Sequence, residues 1–230
     1  MYAATWYDPI DPIFGRQLDL TGFRRSVDQI KSLEAIFKDD LLGKKGSRIE
    51  IAIAGCSTGQ EVYSYALLCA ASGYQDFQVD GYDLYEDRLD EGRKRWYGIY
   101  WGTETELLGD QYLREGLAVV ATTEEVEDGT TQKIHFSERI RWSVAFYQHD
   151  FSLRPFPKQY DLIVATNVLH QRQSGGRENA VRNLLRSLKK GGLFVQNYFS
   201  HDHPSVRAAL EPELVNRLNG ELMQKLGLLI

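Results

Sequence analysis

The chain is poor in cysteine and lacks a long apolar run. Its 230 residues include two cysteines, Cys56 and Cys69. Two are too few for the disulfide framework of a small secreted protein, so a reducing cytoplasm is the expected compartment. No stretch approaches the roughly 18 continuous apolar residues of a membrane-spanning helix. The N-terminal residues also lack the basic start and apolar run of a signal peptide. We therefore predict a cytoplasmic protein with no membrane partner.

An excess of positive charge is missing as well. Lys and Arg total 27 against 32 Asp and Glu, which gives a formal net charge of −5. This balance argues against a nucleic-acid partner. An apolar content of 43% and a charged content of 26% are ordinary for a globular protein, and the length suits one sizeable domain. We predict an N-terminal arm at 1–20 and a single domain at 21–230.

The strongest local pattern is a glycine-bearing turn between a strand and a helix. Residues 48–54 have the pattern of a buried strand, Gly55 breaks it, and a helical pattern begins after Gly59. The two glycines remove side chains where a ligand can approach the backbone, and α/β proteins often hold a cofactor at such a turn. The run 55–59 is neither the three-glycine dinucleotide fingerprint nor a phosphate loop. A cofactor turn and an ordinary tight turn both remain open at this point.

Strand and helix patterns alternate along most of the chain. Strands are predicted at about 48–54, 77–83, 143–147, 161–166 and 193–198, and helices at about 26–42, 60–72, 86–97, 104–115 and 176–189. Two further strands, at 117–122 and 132–136, surround an acidic turn. This alternation predicts an α/β fold with a doubly wound, mostly parallel sheet and a small antiparallel β insertion at about 117–142.

Candidate functional residues follow the predicted strands at one edge of the sheet. In doubly wound sheets, ligands lie beyond the carboxyl ends of the strands. Glu61 lies just after the glycine turn, and Asp83 ends the second strand. Asp83 fits a ribose-binding carboxylate or a helix cap. Asp150 fits an acceptor for an adenine amino group or a turn cap, and Asn167 fits a ligand-facing residue or a turn residue.

His170 is the best acid–base candidate among the five histidines, because it follows the strand at 161–166. His201 and His203 flank Asp202, but no third ligand accompanies them, so no metal site is predicted. Neither cysteine has the surroundings of a nucleophile.

Leucines recur every four residues near the C-terminus, which favours an amphipathic helix. Core packing and a homodimer contact are both compatible with that face. The leucines are Leu210, Leu214, Leu218, Leu222 and Leu226.

Several motifs, in order from about 21 to 200, resemble the CheR-type methyltransferases, which use S-adenosylmethionine to methylate glutamates of bacterial chemotaxis receptors. Residues 54–64 match that family's Ala-Gly-Cys-Ser-Thr-Gly-Glu-Glu-Pro-Tyr-Ser except at Gln60 and Val62. Residues 21–25 resemble its Thr-x-Phe-Phe-Arg, and residues 82–85 stand where it has Thr-Asp-Ile-Asp. The resemblance implies a Rossmann-like methyltransferase with S-adenosylmethionine as cofactor.

The resemblance also implies roles for individual residues. Arg25 would pair with the methionine carboxylate of the cofactor, Gly55 and Glu61 would line its methionine side, and Asp83 would bind its ribose. Asn167 would sit by the transferring methyl group. The full implied set of cofactor-binding residues is Arg25, Gly55, Cys56, Ser57, Thr58, Gly59, Glu61, Asp83, Asn167, and, near the adenine, Asp150 and Phe151.

The departures from the family concern the methyl acceptor. The family has a helical domain before its Thr-x-Phe-Phe-Arg segment, whereas twenty residues precede Thr21 here. Gln171 replaces the tyrosine expected beside the acceptor, and His170, Asn167 and Gln171 form the candidate catalytic set. The favoured prediction is a methyltransferase with an unidentified acceptor, for which a small molecule is one candidate. The alternatives are a protein-glutamate O-methyltransferase, docking receptors through the β insertion at 117–142, and a non-catalytic cofactor-binding scaffold.

Overall fold

The computed structural model describes residues 37–40, 42–100, 117–126, 129–166, 168–169 and 174–196. Within these ranges, no helix combines the length and apolar character needed to span a membrane. The predicted arm at 1–20, the helix at 104–115 and the leucine-rich C-terminal helix lie outside the described residues, as does most of the helix predicted at 26–42.

Twelve elements are formed in the described ranges. The helices are α1 (Gln60–Ala71), α2 (Glu86–Arg93), α3 (Glu138–Trp142) and α4 (Ser174–Arg186), and the strands are β1 (Ile49–Ala54), β2 (Phe77–Asp83), β3 (Trp96–Tyr100), β4 (Ala118–Val126), β5 (Gly129–Phe136), β6 (Val144–Gln148), β7 (Tyr160–Ala165) and β8 (Leu188–Gln196).

The main sheet has five strands in the order β6-β2-β1-β7-β8, and every neighbouring pair is parallel. Strand β1 lies in the middle, with β2 on one side and β7 on the other. The chain order reverses at β1, which makes the carboxyl end of β1 the topological switch point where such sheets bind ligands. The predicted doubly wound fold is confirmed.

Alternating side chains of β1 pack into two separate cores. Ile49, Ile51 and Ile53 face the layer that contains α1 and Phe146 of β6. Ala52 and Ala54 face the layer that contains α4 and the loop before β7. Both faces of the strand are therefore covered, as the continuous apolar character of β1 requires.

The second sheet is antiparallel and has three strands in the order β3-β5-β4. The predicted hairpin is formed by β4 and β5. The third strand of the sheet, β3, was predicted as the end of a helix at 86–97. That prediction is wrong: α2 ends at Arg93, and Arg95 adopts a left-handed φ of 64° that no helix continues. The aromatic residues that follow favour a strand and pair with β5, where Trp96 is opposite His135.

The boundary between α4 and β8 also differs from the prediction, and one short helix was missed. The helix predicted at 176–189 is α4, which ends at Arg186, and the lysines expected in its last turn lie in β8. Pairing of Leu188 with Tyr160 starts β8 early, and the register then shifts before Leu193. The short helix α3 was not predicted; the Ser137 hydroxyl accepts a hydrogen bond from the Ile140 N–H at its start.

Candidate active site

The glycine turn is tied to the end of β2 by backbone hydrogen bonds. The Gly55 and Cys56 N–H groups donate to the Tyr82 carbonyl over 2.8 Å and 3.1 Å. Gly55 has a φ of 69°, and a Cβ there would lie 2.5 Å from Cγ2 of Val168. A side chain is thus excluded at Gly55 both by the backbone conformation and by Val168, which lies three residues beyond the end of β7.

Asp83 receives two further backbone groups at the same place. Its Oδ2 accepts from the Ser57 N–H at 2.8 Å, and its Oδ1 accepts from the Tyr85 N–H at 3.1 Å. Each carboxylate oxygen keeps a second acceptor site. No Lys or Arg of the described residues forms an ion pair with Asp83, so its negative charge remains available to a ligand that donates hydrogen bonds.

The backbone and the hydroxyl of Ser57 indicate whether this turn fits a ligand. The residue is buried, with 6% of its surface exposed, and it holds a left-handed φ of 48°. Its hydroxyl has no hydrogen-bond partner among the residues that the structure describes. Buried hydroxyls are normally satisfied. A strained backbone and an unsatisfied hydroxyl beside Asp83 fit a turn that binds a polar ligand.

Glu61 and Cys56 complete the charges around the turn. Glu61 lies in the first turn of α1 and is partly exposed. Burial raises the pKa of the Cys56 thiol well above its ordinary value, and the negative charges of Asp83 and Glu61 raise it further. The thiol therefore stays protonated at neutral pH, which agrees with the expectation that Cys56 is not a nucleophile.

Asp150 and Phe151 lie beyond the end of β6. Asp150 Oδ1 accepts from both the N–H and the hydroxyl of Ser152, at 2.9 Å and 2.5 Å, which is a turn-capping arrangement. The Phe151 ring is 1% exposed and lies edge-on to Phe156 in the second core. The predicted adenine contact of these two residues stays a prediction. Arg25, Asn167, His170 and Gln171 lie outside the described residues.

Two tyrosines at the turn were not predicted as site residues. Tyr82 provides the carbonyl that holds Gly55 and Cys56, and Tyr97 donates its hydroxyl to the Thr58 carbonyl at 2.6 Å. The position of Tyr82 next to Asp83 was a usable signal. Tyr97 had none, because its segment was predicted as helix.

The decisive comparison is with protein families. Residues 19–196 match the model of the CheR methyltransferase SAM-binding domain. The chain belongs to the CheR methyltransferase family. The predicted resemblance to this family is confirmed, and so is S-adenosylmethionine as the cofactor that the matched domain binds.

Curated relatives carry the same name in different bacteria. The chain is 28% identical over 177 residues to the chemotaxis protein methyltransferase of Listeria monocytogenes serovar 1/2a, covering 76% of this chain and 63% of that protein. It is 28% identical over 179 residues to chemotaxis protein methyltransferase 2 of Vibrio cholerae serotype O1, covering 75% and 59%. The chain thus spans less than two thirds of the length of these relatives.

Similarity to solved structures is lower. The CMeT domain of the citrinin polyketide synthase is 17% identical, with a TM-score of 0.47, over 84% of this chain and 39% of that chain.

Proposed function

We propose that this CheR-family protein transfers a methyl group from S-adenosylmethionine to a carboxyl group of a chemoreceptor-like protein. The observation that carries the cofactor half of this proposal is the junction of the glycine turn with Asp83 at the switch point of the sheet. The acceptor half is supported by the names of the curated relatives, both chemotaxis protein methyltransferases. The antiparallel sheet supports it too, because the family resemblance implies that a β insertion at this point of the chain docks receptors.

The residues of the turn divide the cofactor between them. Asp83, with its two remaining acceptor sites, suits the ribose hydroxyls. Glu61, at the start of α1, suits the ammonium group of the methionine part. Ser57 offers its unsatisfied hydroxyl in the same turn. Arg25 and Asn167 are assigned to the methionine carboxylate and the methyl group by the family resemblance.

The chemistry asks little of an acid or base. The bound cofactor supplies an electrophilic methyl group on a positively charged sulfur. A carboxylate acceptor is already ionised at neutral pH, so the residues around it need to orient it in line with the methyl group and exclude water. A hydroxyl or amine acceptor would instead need a base, for which His170 is the candidate.

The product distinguishes these acceptors. Purified protein is incubated with S-adenosylmethionine labelled with tritium in its methyl group and with the cytoplasmic fragment of a bacterial chemoreceptor. We expect label in the receptor fragment that mild alkali releases as volatile methanol, because a carboxyl methyl ester hydrolyses under alkali and an N-methyl group does not. The His170→Ala variant should retain this activity within about threefold, since no deprotonation is required.

Label that resists alkali, or label confined to the fraction of small molecules, would contradict the carboxyl proposal. A small-molecule acceptor is the second candidate, favoured by Gln171 in place of the family's tyrosine. It predicts labelling of a low-mass fraction of cell extract with no labelling of the receptor. Saturable cofactor binding without transfer to either would favour the scaffold alternative.

A further inference from the structure

Tyr97 joins the antiparallel sheet to the cofactor turn. The residue belongs to β3, the strand that follows α2, and 7% of its surface is exposed. Its hydroxyl donates to the Thr58 carbonyl at 2.6 Å, at the last peptide of the turn before α1. A Cβ on the next residue, Gly59, would lie 2.9 Å from that same hydroxyl. The Tyr97 hydroxyl is therefore in close contact with two neighbouring residues of the turn, Thr58 and Gly59.

The ring of Tyr97 is held by the second sheet and by α1 together. It lies edge-on to Tyr63 of α1, with 5.6 Å between ring centroids, and edge-on to Phe136 of β5, at 6.0 Å. Tyr63 and Phe136 in turn stack face to face at 4.2 Å. Backbone pairing of Tyr97 with Ile134 fixes β3 against β5. The hydroxyl thus reaches the turn from a support that packing has already ordered.

We propose that Tyr97 is a positioning residue for S-adenosylmethionine, and that the antiparallel sheet forms part of the support of the cofactor site. The turn includes three left-handed residues, Gly55, Ser57 and Gly59, with φ angles of 69°, 48° and 90°. Such a turn has other conformations available, and any population that leaves the binding geometry lowers the apparent affinity in proportion. The Tyr97 hydroxyl opposes this by holding Thr58. This inference rests on the proposed cofactor function.

The assignment changes what can be learned by deleting the predicted insertion at 117–142. Such a deletion removes Phe136 and the β5 partner of β3, both of which hold Tyr97. Weakened cofactor binding would then accompany any loss of receptor docking. Removing only the hydroxyl of Tyr97 tests cofactor binding without removing the sheet that would dock the receptor.

The chain offers a matched control in Tyr63. Its hydroxyl is also buried in the aromatic cluster, but it donates to the Gly92 carbonyl of α2 at 3.2 Å instead of to the turn. Tyr97→Phe and Tyr63→Phe each remove one hydroxyl and keep the ring. Loss of general stability should affect both variants, whereas loss of turn positioning should affect only Tyr97→Phe.

The dissociation constant of S-adenosylhomocysteine is measured by calorimetry for both variants, and thermal unfolding confirms that each is folded. We expect Tyr97→Phe to weaken binding about fivefold, and Tyr63→Phe to stay within about twofold of the unmodified protein. In turnover assays, Tyr97→Phe should raise KM for S-adenosylmethionine to a similar extent and leave kcat within about twofold. Equal dissociation constants for the two variants would overturn the proposal.

Amide hydrogen exchange without ligand provides an independent measurement. Exchange in a peptide covering 55–62 should be faster in Tyr97→Phe than in Tyr63→Phe, because the turn opens more often. Unmodified folded protein that binds neither cofactor form would count against the proposed function, and the exchange result would still decide the positioning role. Identical exchange in both variants would reject that role.

Discussion

The two ends of the main sheet differ in how their carboxylates are stabilised. At the carboxyl end, Asp83 is held by two backbone N–H groups and by no cation among the described residues. In the opposite half, the carboxylates of Glu50, Asp80 and Asp161 are all paired with lysines. All four carboxylates are buried or only partly exposed, yet only the three away from the turn are paired with cations.

The paired groups form one continuous network. Lys158 bridges Asp80 and Glu50, and Lys189 bridges Glu50 and Asp161, all at 2.8–3.0 Å. Burial opposes ionisation of Glu50, but its bonds with Lys189 and Lys158 outweigh that effect, so the pKa of its carboxyl is lowered. Network partners compensate the desolvation of each charge in this half of the sheet.

The comparison separates structural charge from binding charge. A carboxylate paired with lysine stabilises the sheet but offers little to a ligand. A carboxylate held by backbone N–H groups is fixed in place, and no cation neutralises its charge. By this criterion Asp83 is the described residue best suited to bind donors of the cofactor.

The largest expected effect comes from filling a glycine at the cofactor end. Gly59→Ala puts a Cβ at a φ of 90° and 2.6 Å from the Phe146 ring. Gly73→Ala, at the far end of α1, has a similar φ of 87° with open space around it. We expect Gly59→Ala to lower the free energy of unfolding by about 3–4 kcal/mol, from strain plus overpacking, and Gly73→Ala by about 1 kcal/mol from strain alone. Urea unfolding measures the free energy of unfolding of both variants. Equal decreases would mean that the Phe146 ring moves aside without destabilising the protein.

Removing the charge of Asp83 should have the next largest effect. Asp83→Asn keeps the size of the side chain but loses a charged acceptor, so we expect binding of S-adenosylhomocysteine to weaken about 30-fold, or about 2 kcal/mol. Asp76→Asn removes the same charge from an exposed position at the start of β2, beside Arg48. Calorimetry should find its affinity unchanged. A similar weakening in both variants would point to net charge instead of to the site.

The smallest expected effect concerns the charge network and its pH dependence. The folded pKa of Glu50 lies below its ordinary value of 4.5. Its contribution to stability is therefore complete above pH 4.5 and is lost as the pH falls through the folded value. Glu50→Gln should lower the free energy of unfolding at pH 7 by about 1–2 kcal/mol and make the decline in acid shallower.

The exposed Glu86→Gln change, which leaves Arg93 with Asp90, should cost less than about 0.5 kcal/mol. Unfolding curves for both variants between pH 3 and pH 7 provide the comparison. A decline in acid as steep in Glu50→Gln as in the unmodified protein would show that other carboxyls dominate.

Local patterns predicted the parts of the fold that neighbouring residues determine. The alternating isoleucines of β1 and the glycines after it marked the cofactor turn, and β2 was predicted with both of its ends correct. Strand β3 was missed because its pairing partner, β5, lies more than 30 residues away, as in the pairing of Trp96 with His135. The lysines of β8 suggested a helix end, but Lys189 lies in the sheet, where it pairs with Glu50 of β1 and Asp161 of β7.

The candidate site divides in the same way. Asp83 and the glycine turn could be predicted, because strand ends in a parallel sheet converge at one edge. The role of Tyr97 could not, since it depends on a contact between two sheets that no short pattern encodes. Tyr82 was named in the motif but not as a support of the turn.

The ring of Phe146 limits which substitutions can be accepted at the glycines that pack against it during evolution. Three glycines, Gly59 in the turn, Gly81 in β2 and Gly92 in α2, each approach that ring so closely that an added Cβ would lie 2.6–2.9 Å from it. A single substitution at any of the three is obstructed while the ring is present. Gly81 also meets Cys56 and Val62, and Gly59 has a left-handed φ, whereas the three atoms nearest to a Cβ at Gly92 all belong to the ring. In homologues, alanine at position 92 should therefore co-occur with a smaller side chain in place of the phenylalanine.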